Sequence, residues 1–139
     1  LPERVAIHFG WGGIPDNWGP NTVNTLFLIG LQTVLFLALY FSPRMAVIIP
    51  AKFVNLPHKE FWLAPENRAR FQATFTALMH RFGAALFVFL FAVGLLSIQA
   101  NLSQPVRLQE RPLFVLLALF LAYTLAWVIV FFRSFRNPE

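Results

Sequence analysis

The sequence contains no cysteine, so it has no disulfide framework, thiolate nucleophile or Cys-based metal site, and its redox compartment stays open. Charge is scarce as well: 12% of the 139 residues are charged, against about 25% in an ordinary soluble domain. The scarcity is uneven, because residues 23–41, 82–100 and 113–132 hold no acid or base at all. Proton- or ion-coupled transport usually places an ionisable group at membrane depth, despite a cost of about 2.5–3.5 kcal/mol on insertion scales. The absence of any such group disfavours a transporter or channel. HExxH, Gly-x-Ser-x-Gly, P-loop and dinucleotide fingerprints are also missing. The sequence therefore offers no ground for an enzyme, a catalytic residue or a cofactor.

What the chain has in quantity is apolar surface: 58% of it is hydrophobic, with seventeen Phe and four Trp. Each uncharged run has the roughly twenty residues that cross about 30 Å of hydrocarbon as a helix. The expected fold class is all-α, a polytopic transmembrane helical bundle with three spans here and four in the intact protein. The chain opens LPERVAIHF, with neither Met nor a signal-like apolar region, which is the look of a processed or partial chain. The net charge of +5 is no argument for nucleic acid, because the basic residues gather at the ends of apolar runs. That placement is membrane topology, and the bilayer is the first expected partner.

Residues 1–22 form a polar cap. Gly10, Gly12, Gly13, Pro15, Gly19 and Pro20 punctuate it too densely for a helix. Trp11 and Trp18 suit the headgroup level, against the plainer reading that any pre-membrane loop holds a Trp. Residues 23–41 are the first span, ended by Pro43. Prolines then recur at 43, 50, 57 and 65, so residues 42–64 are expected to be mostly irregular or extended along the membrane face. Pro65 is expected in the first turn of an amphipathic juxtamembrane helix over 65–81, which continues into the second span at 82–100 with Gly83 as a hinge. Residues 101–112 form a loop, 113–132 the third span and 133–139 a tail. Within the loop, Asn101-Leu102-Ser103 has the form of a glycosylation acceptor, a triplet common by chance.

Orientation follows from counting charges. Residues 42–81 and the tail after 132 carry eight of the eleven Lys and Arg, and the other side carries Arg4, Arg107 and Arg111. Three acids on each side leave +5 and zero. The positive-inside rule then makes 42–81 and the C-terminus cytoplasmic and 1–22 and 101–112 extracytoplasmic.

A metal site would need three converging ligands. This topology puts His8 and Asp16 on one side and His58, Glu60 and His80 on the other, so neither side clearly supplies three. His8 and Asp16 are expected instead to share a structural hydrogen bond closing the cap. Lys59 with Glu60 and Glu66 with Arg70 read as solvated pairs worth under about 1 kcal/mol each. In the spans, Gln32 lies near the middle of the first and Tyr123 and Thr124 near the middle of the third. An amide in hydrocarbon needs a partner, so these residues are expected to make an intramembrane polar contact, or Gln32 to reach an additional span.

Two motifs carry a family likeness. The opening LPERVAIHFGWGGIPDNWG resembles the LP…P-x-HF…G-x-PD-x-W signature of a bacterial domain of unknown function, found in small membrane proteins related to the immunity protein against the sporulation-delaying toxin. Leu1, Pro2, His8, Phe9, Gly13, Pro15, Asp16 and Trp18 match it. NLPHKEFWLAP is similar to a second signature, N-x-P-x-K-x-x-W-L-A-P, through Asn55, Pro57, Lys59, Trp62, Leu63, Ala64 and Pro65. Ala6 departs from the usual proline and His58 from a common Asn. The resemblance implies a bacterial inner-membrane protein, typically with one more span before the outer motif. It also implies immunity or signalling roles for some members and none assigned for most. The leading expectation is a non-enzymatic sensor, immunity or accessory membrane protein whose outer loop recognises a peptide or partner. The rival is a structural subunit of a larger membrane complex, and a small metalloenzyme or transporter comes third.

Overall fold

The computed structural model describes residues 1–136; the end of the expected tail, 137–139, lies outside them. The elements in order are strand β1 (Arg4–Phe9), strand β2 (Pro15–Pro20), helix α1 (Asn21–Ile48), helix α2 (Lys59–Trp62), helix α3 (Arg68–Leu102) and helix α4 (Glu110–Arg136). Single 3-10 turns lie at Trp11–Gly13 and Ala51–Phe53. The protein is mostly helical, and α1, α3 and α4 are each long and apolar enough to cross a membrane. The chain divides into two compact units, Leu1–Val34 with Leu86–Phe120 and Leu35–Ala85 with Leu121–Glu139.

In the first unit, the cap contains a small sheet that the all-α expectation omitted. β1 and β2 pair antiparallel, from Arg4 opposite Pro20 to Phe9 opposite Pro15, with irregular register on both sides of His8. The Gly and Pro density that argued only for turns fits a hairpin for a positional reason. Pro15 and Pro20 occupy the ends of β2, where a missing N–H spares the ladder, and Gly10, Gly12 and Gly13 all fall in the connection. Gly10 N–H donates to the Ile14 carbonyl at 2.8 Å to close that connection, and Asn21 N–H donates to Glu3 O at 2.8 Å where the hairpin hands over to α1. Val5 and Ala6 of β1 are buried, together with Ala100 and Asn101 of α3.

In the second unit, Pro43 does not end the first helix, which continues to Ile48. A proline inside a helix leaves the carbonyl four residues back without its donor, here that of Leu39. The Ser42 hydroxyl supplies one instead, donating to Leu39 O at 2.9 Å, a substitution that transmembrane helices tolerate well. The segment after α1 is less irregular than its prolines suggest, since it holds the 3-10 turn and α2. Pro65 lies in a turn before α3 and outside its first turn. α3 begins at Arg68 after Asn67, whose side-chain amide donates to Phe61 O at 3.1 Å and whose carbonyl accepts from Phe71 N–H. From there α3 runs unbroken through Gly83 for 35 residues, about 52 Å at 1.5 Å per residue. No hinge separates the expected juxtamembrane helix from the expected span.

The core of the second unit is aromatic. Trp62 of α2, Phe71 of α3 and Phe135 of α4 are fully buried, and Leu56 and Leu78, also buried, join their cluster. The Trp62 and Phe135 rings meet edge to face at 5.3 Å, a geometry favoured by their quadrupoles. Both indole N–H groups of this unit find a carbonyl: buried Trp62 donates through Nε1 to Phe135 O and half-buried Trp127 through Nε1 to Leu78 O, both at 2.9 Å.

Candidate functional site

The cap is held from below by the loop that joins α3 to α4. Gly13 has φ 70°, and a Cβ there would sit 2.0 Å from the carbonyl oxygen of Leu108. Both the left-handed backbone and the close approach require glycine. That approach lets Leu108 N–H donate to Gly13 O at 2.9 Å. Next to it, Gly12 N–H donates to Glu110 Oε1 at 2.8 Å and Arg107 Nε donates to Gly12 O at 2.6 Å. The turn is thus gripped through three backbone groups. On β1, Asn101 does the same for Ala6: Oδ1 accepts its N–H at 2.7 Å, and Nδ2 donates to its carbonyl at 3.2 Å and to Ser97 O at 3.0 Å. An amide side chain thereby stands in for a neighbouring strand along the edge of β1 that β2 leaves unpaired.

The outer-motif residues sort into builders and presenters. His8 Nδ1 and Asp16 Oδ1 lie 2.6 Å apart across the hairpin, both largely solvent-exposed. Phe9 pairs with Pro15, and Gly13 makes the docking turn. Trp18 is exposed on β2, and its carbonyl accepts from Arg4 at 3.4 Å. Beside these, Trp11 is 92% exposed at the tip, with Ile14 and Ile7 exposed near it in sequence. Beneath the tip lies an open cleft of about 760 Å³, bordered by Gly12, Ser103, Arg107, Leu108, Glu110 and Arg111.

The inner motif builds the core of the second unit. Trp62 is its centre, Lys59 opens α2, and Pro57 is half-buried beside it. His58 takes a left-handed conformation, φ 51° and ψ 38°, which His, Asn and Asp adopt more readily than other non-glycine residues. Exposed Asn55 borders an apolar groove of about 340 Å³ together with Met45, Phe53 and Phe75. Arg70 lies over the Trp62 ring at 5.2 Å.

Of the intramembrane polar residues, Tyr123 donates its hydroxyl to Arg81 O at 3.0 Å, and Thr124 is half-buried and engaged. Gln32 is exposed on α1, and no hydrogen bond within the described residues satisfies it. Among the described residues no three His, Asp or Glu side chains come together as a metal-binding group.

Sequence reasoning passed over Asn101, Arg107 and Glu110 as site residues. The available signal was thin: Asn101 is the first polar side chain past the apolar run 82–100, and the other two are charges in a short loop.

Residues 1–33, which are the hairpin and the first part of α1, match a family described as Domain of unknown function (DUF1648). No curated protein and no solved structure matches the chain.

Proposed function

We propose that this chain is a non-enzymatic protein of the bacterial cytoplasmic membrane whose cap, on the outer face, recognises a peptide or membrane-protein partner. One observation carries the reading. The hairpin is fixed by Asn101, Arg107 and Glu110, yet it presents Trp11 almost fully to solvent with Ile14 and Trp18 also exposed. Apolar groups displayed on a preorganised scaffold mark interaction surfaces, because rigid aromatic anchors bind with little loss of conformational entropy. The likeness of the cap motif to the immunity-protein group supports an immunity or sensing role. The eight-to-three division of Lys and Arg supports the orientation.

The test uses the intact protein in cells. A photocrosslinking residue at Trp11 or Ile14 is expected to give one discrete protein or peptide adduct, and one at Asn55 is not. Lipid-only adducts from the tip would overturn the reading. Cysteines at Asn17 and Gln104 are expected to react with an impermeant thiol reagent in intact cells, and one at Asn55 only after lysis. Labelling of all three from one side would remove the topology.

A second reading, an accessory subunit of a larger membrane complex, is favoured by Gln32. An exposed amide at the middle of an apolar helix seeks a polar partner on another helix. Mild-detergent purification separates the two readings: a stable stoichiometric complex retained through Gln32 and lost in Gln32→Leu supports the subunit.

A further inference from the structure

The cleft under the cap is bordered by two arginines and one carboxylate, and so carries a net positive charge. Arg107 and Arg111 both border it, and among the described residues neither guanidinium has a carboxylate within salt-bridge distance. The acid beside them, Glu110, already accepts the Gly12 N–H through Oε1. Arg107 differs from an ordinary solvated arginine, because its Nε is pinned on Gly12 O at 2.6 Å. With Nε held there, the N–H groups of its two terminal nitrogens remain available for a planar, bidentate contact with an oxyanion. Arg111 stands in the first turn of α4, one residue before Pro112, where the apolar run begins. The loop joins the ends of two helices apolar enough to cross a membrane, so with both helices in a bilayer the cleft would lie at headgroup depth. Leu108 and Pro105 supply apolar wall beside the arginines.

We propose that this cleft is a binding site for the phosphate of an anionic phospholipid headgroup, held between Arg107 and Arg111. The cleft volume, about 760 Å³, accommodates a glycerophosphate group, and the apolar wall receives the start of its chains. The site is independent of the partner surface at Trp11 and of which leaflet the loop faces. A bound lipid would tie the loop that grips the hairpin to the membrane surface, coupling cap placement to lipid charge.

Native mass spectrometry of the detergent-solubilised full chain tests this with phosphatidylglycerol, phosphatidylcholine and inorganic phosphate as probes. One phosphatidylglycerol per chain is expected to be retained in preference to phosphatidylcholine. Its affinity should fall about tenfold in Arg111→Gln, the loss of one charge-assisted contact, and recover largely in Arg111→Lys. Arg4→Gln, an equal charge change elsewhere in the cap, should leave it unchanged. Arg111→Gln keeps Arg107 and its bond to Gly12, so the cap stays folded. Equal retention of phosphatidylcholine, or an Arg111→Gln variant that binds as the parent does, would overturn the proposal. Displacement of the lipid by millimolar inorganic phosphate would assign the site to a free phosphate and remove the lipid.

Discussion

Asn101 holds Ala6 by both its N–H and its carbonyl, at 2.7 and 3.2 Å, across ninety-five positions of sequence. Both residues are buried, so the two Ala6 groups have no water to fall back on. Asn101→Leu is therefore expected to lower stability by about 2–4 kcal/mol, the cost of two buried backbone groups left unpaired. Thermal unfolding in detergent checks the magnitude, and amide exchange at Ala6 should quicken more than at residues of the second unit. The same burial predicts that Asn101 remains unmodified in a glycosylating expression host despite its acceptor triplet, which an intact-mass measurement decides.

The docking turn gives a graded pair of substitutions. Gly13→Ala puts a Cβ 2.0 Å from the Leu108 carbonyl oxygen at φ 70°, whereas at Gly12, with φ 74°, the nearest obstacle is a terminal nitrogen of Arg107 at 3.4 Å. A flexible side-chain end can move and a backbone carbonyl cannot. Gly12→Ala is expected to cost about 1–2 kcal/mol, the left-handed penalty alone. Gly13→Ala should go further and detach the turn, seen as protease cleavage between residues 10 and 14 under conditions that leave the parent intact. Equal effects at the two positions would contradict the docked geometry.

Trp62 separates burial from hydrogen bonding in the second unit. Trp62→Phe keeps a ring beside Phe135 and loses the Nε1 donor to its carbonyl, so a loss of about 1–3 kcal/mol is expected. Trp62→Ala also opens a cavity and should cost about 3–5 kcal/mol. Detergent unfolding of the two variants measures both, and a Trp62→Phe variant as damaged as Trp62→Ala would make the donor more important than the ring.

The contrast between what the sequence revealed and what it concealed follows the range of the forces involved. The three membrane-length helices were legible because a run such as 113–132 has a solvent preference set by composition alone. The His8 and Asp16 pairing was legible because both lie in one short turn-rich segment. The grip of Asn101 on Ala6 was hidden, since nothing local distinguishes an amide that caps a strand from one in a loop. The hairpin was hidden for a related reason: of the glycines and prolines counted as breakers, all but Gly19 sit in the connection or at strand ends, and Gly19 is carried within β2 opposite Val5. Pro43 misled because its cost was judged without Ser42 beside it. Trp62 stood out only through a family likeness, and its place as a core residue required the distant Phe135.

The Ser42 hydroxyl and Pro43 make a prediction about coupling that neither residue alone would support. Ser42 donates to Leu39 O at 2.9 Å, and Leu39 O is the carbonyl that an N–H at position 43 would otherwise occupy. With Pro43 in place, Ser42→Ala leaves that carbonyl unpaired in an apolar helix, and a loss of about 0.6 kcal/mol is expected, the average for polar contacts within membranes. Pro43→Ala restores the backbone donor at position 43, so in that background the hydroxyl has no vacant acceptor to fill. Ser42→Ala should then be close to neutral. Pro43 is itself buried, so Pro43→Ala alone mixes a gained hydrogen bond with lost packing, and its sign carries no information. The double-mutant cycle removes that ambiguity because the packing loss is common to both Pro43→Ala variants. Measured by thermal or denaturant unfolding in the same detergent, the cycle is expected to give a coupling of about half a kcal/mol between the two sites. A coupling of zero, with Ser42→Ala equally costly in both backgrounds, would mean that the hydroxyl serves some other contact and that α1 passes Pro43 by another route.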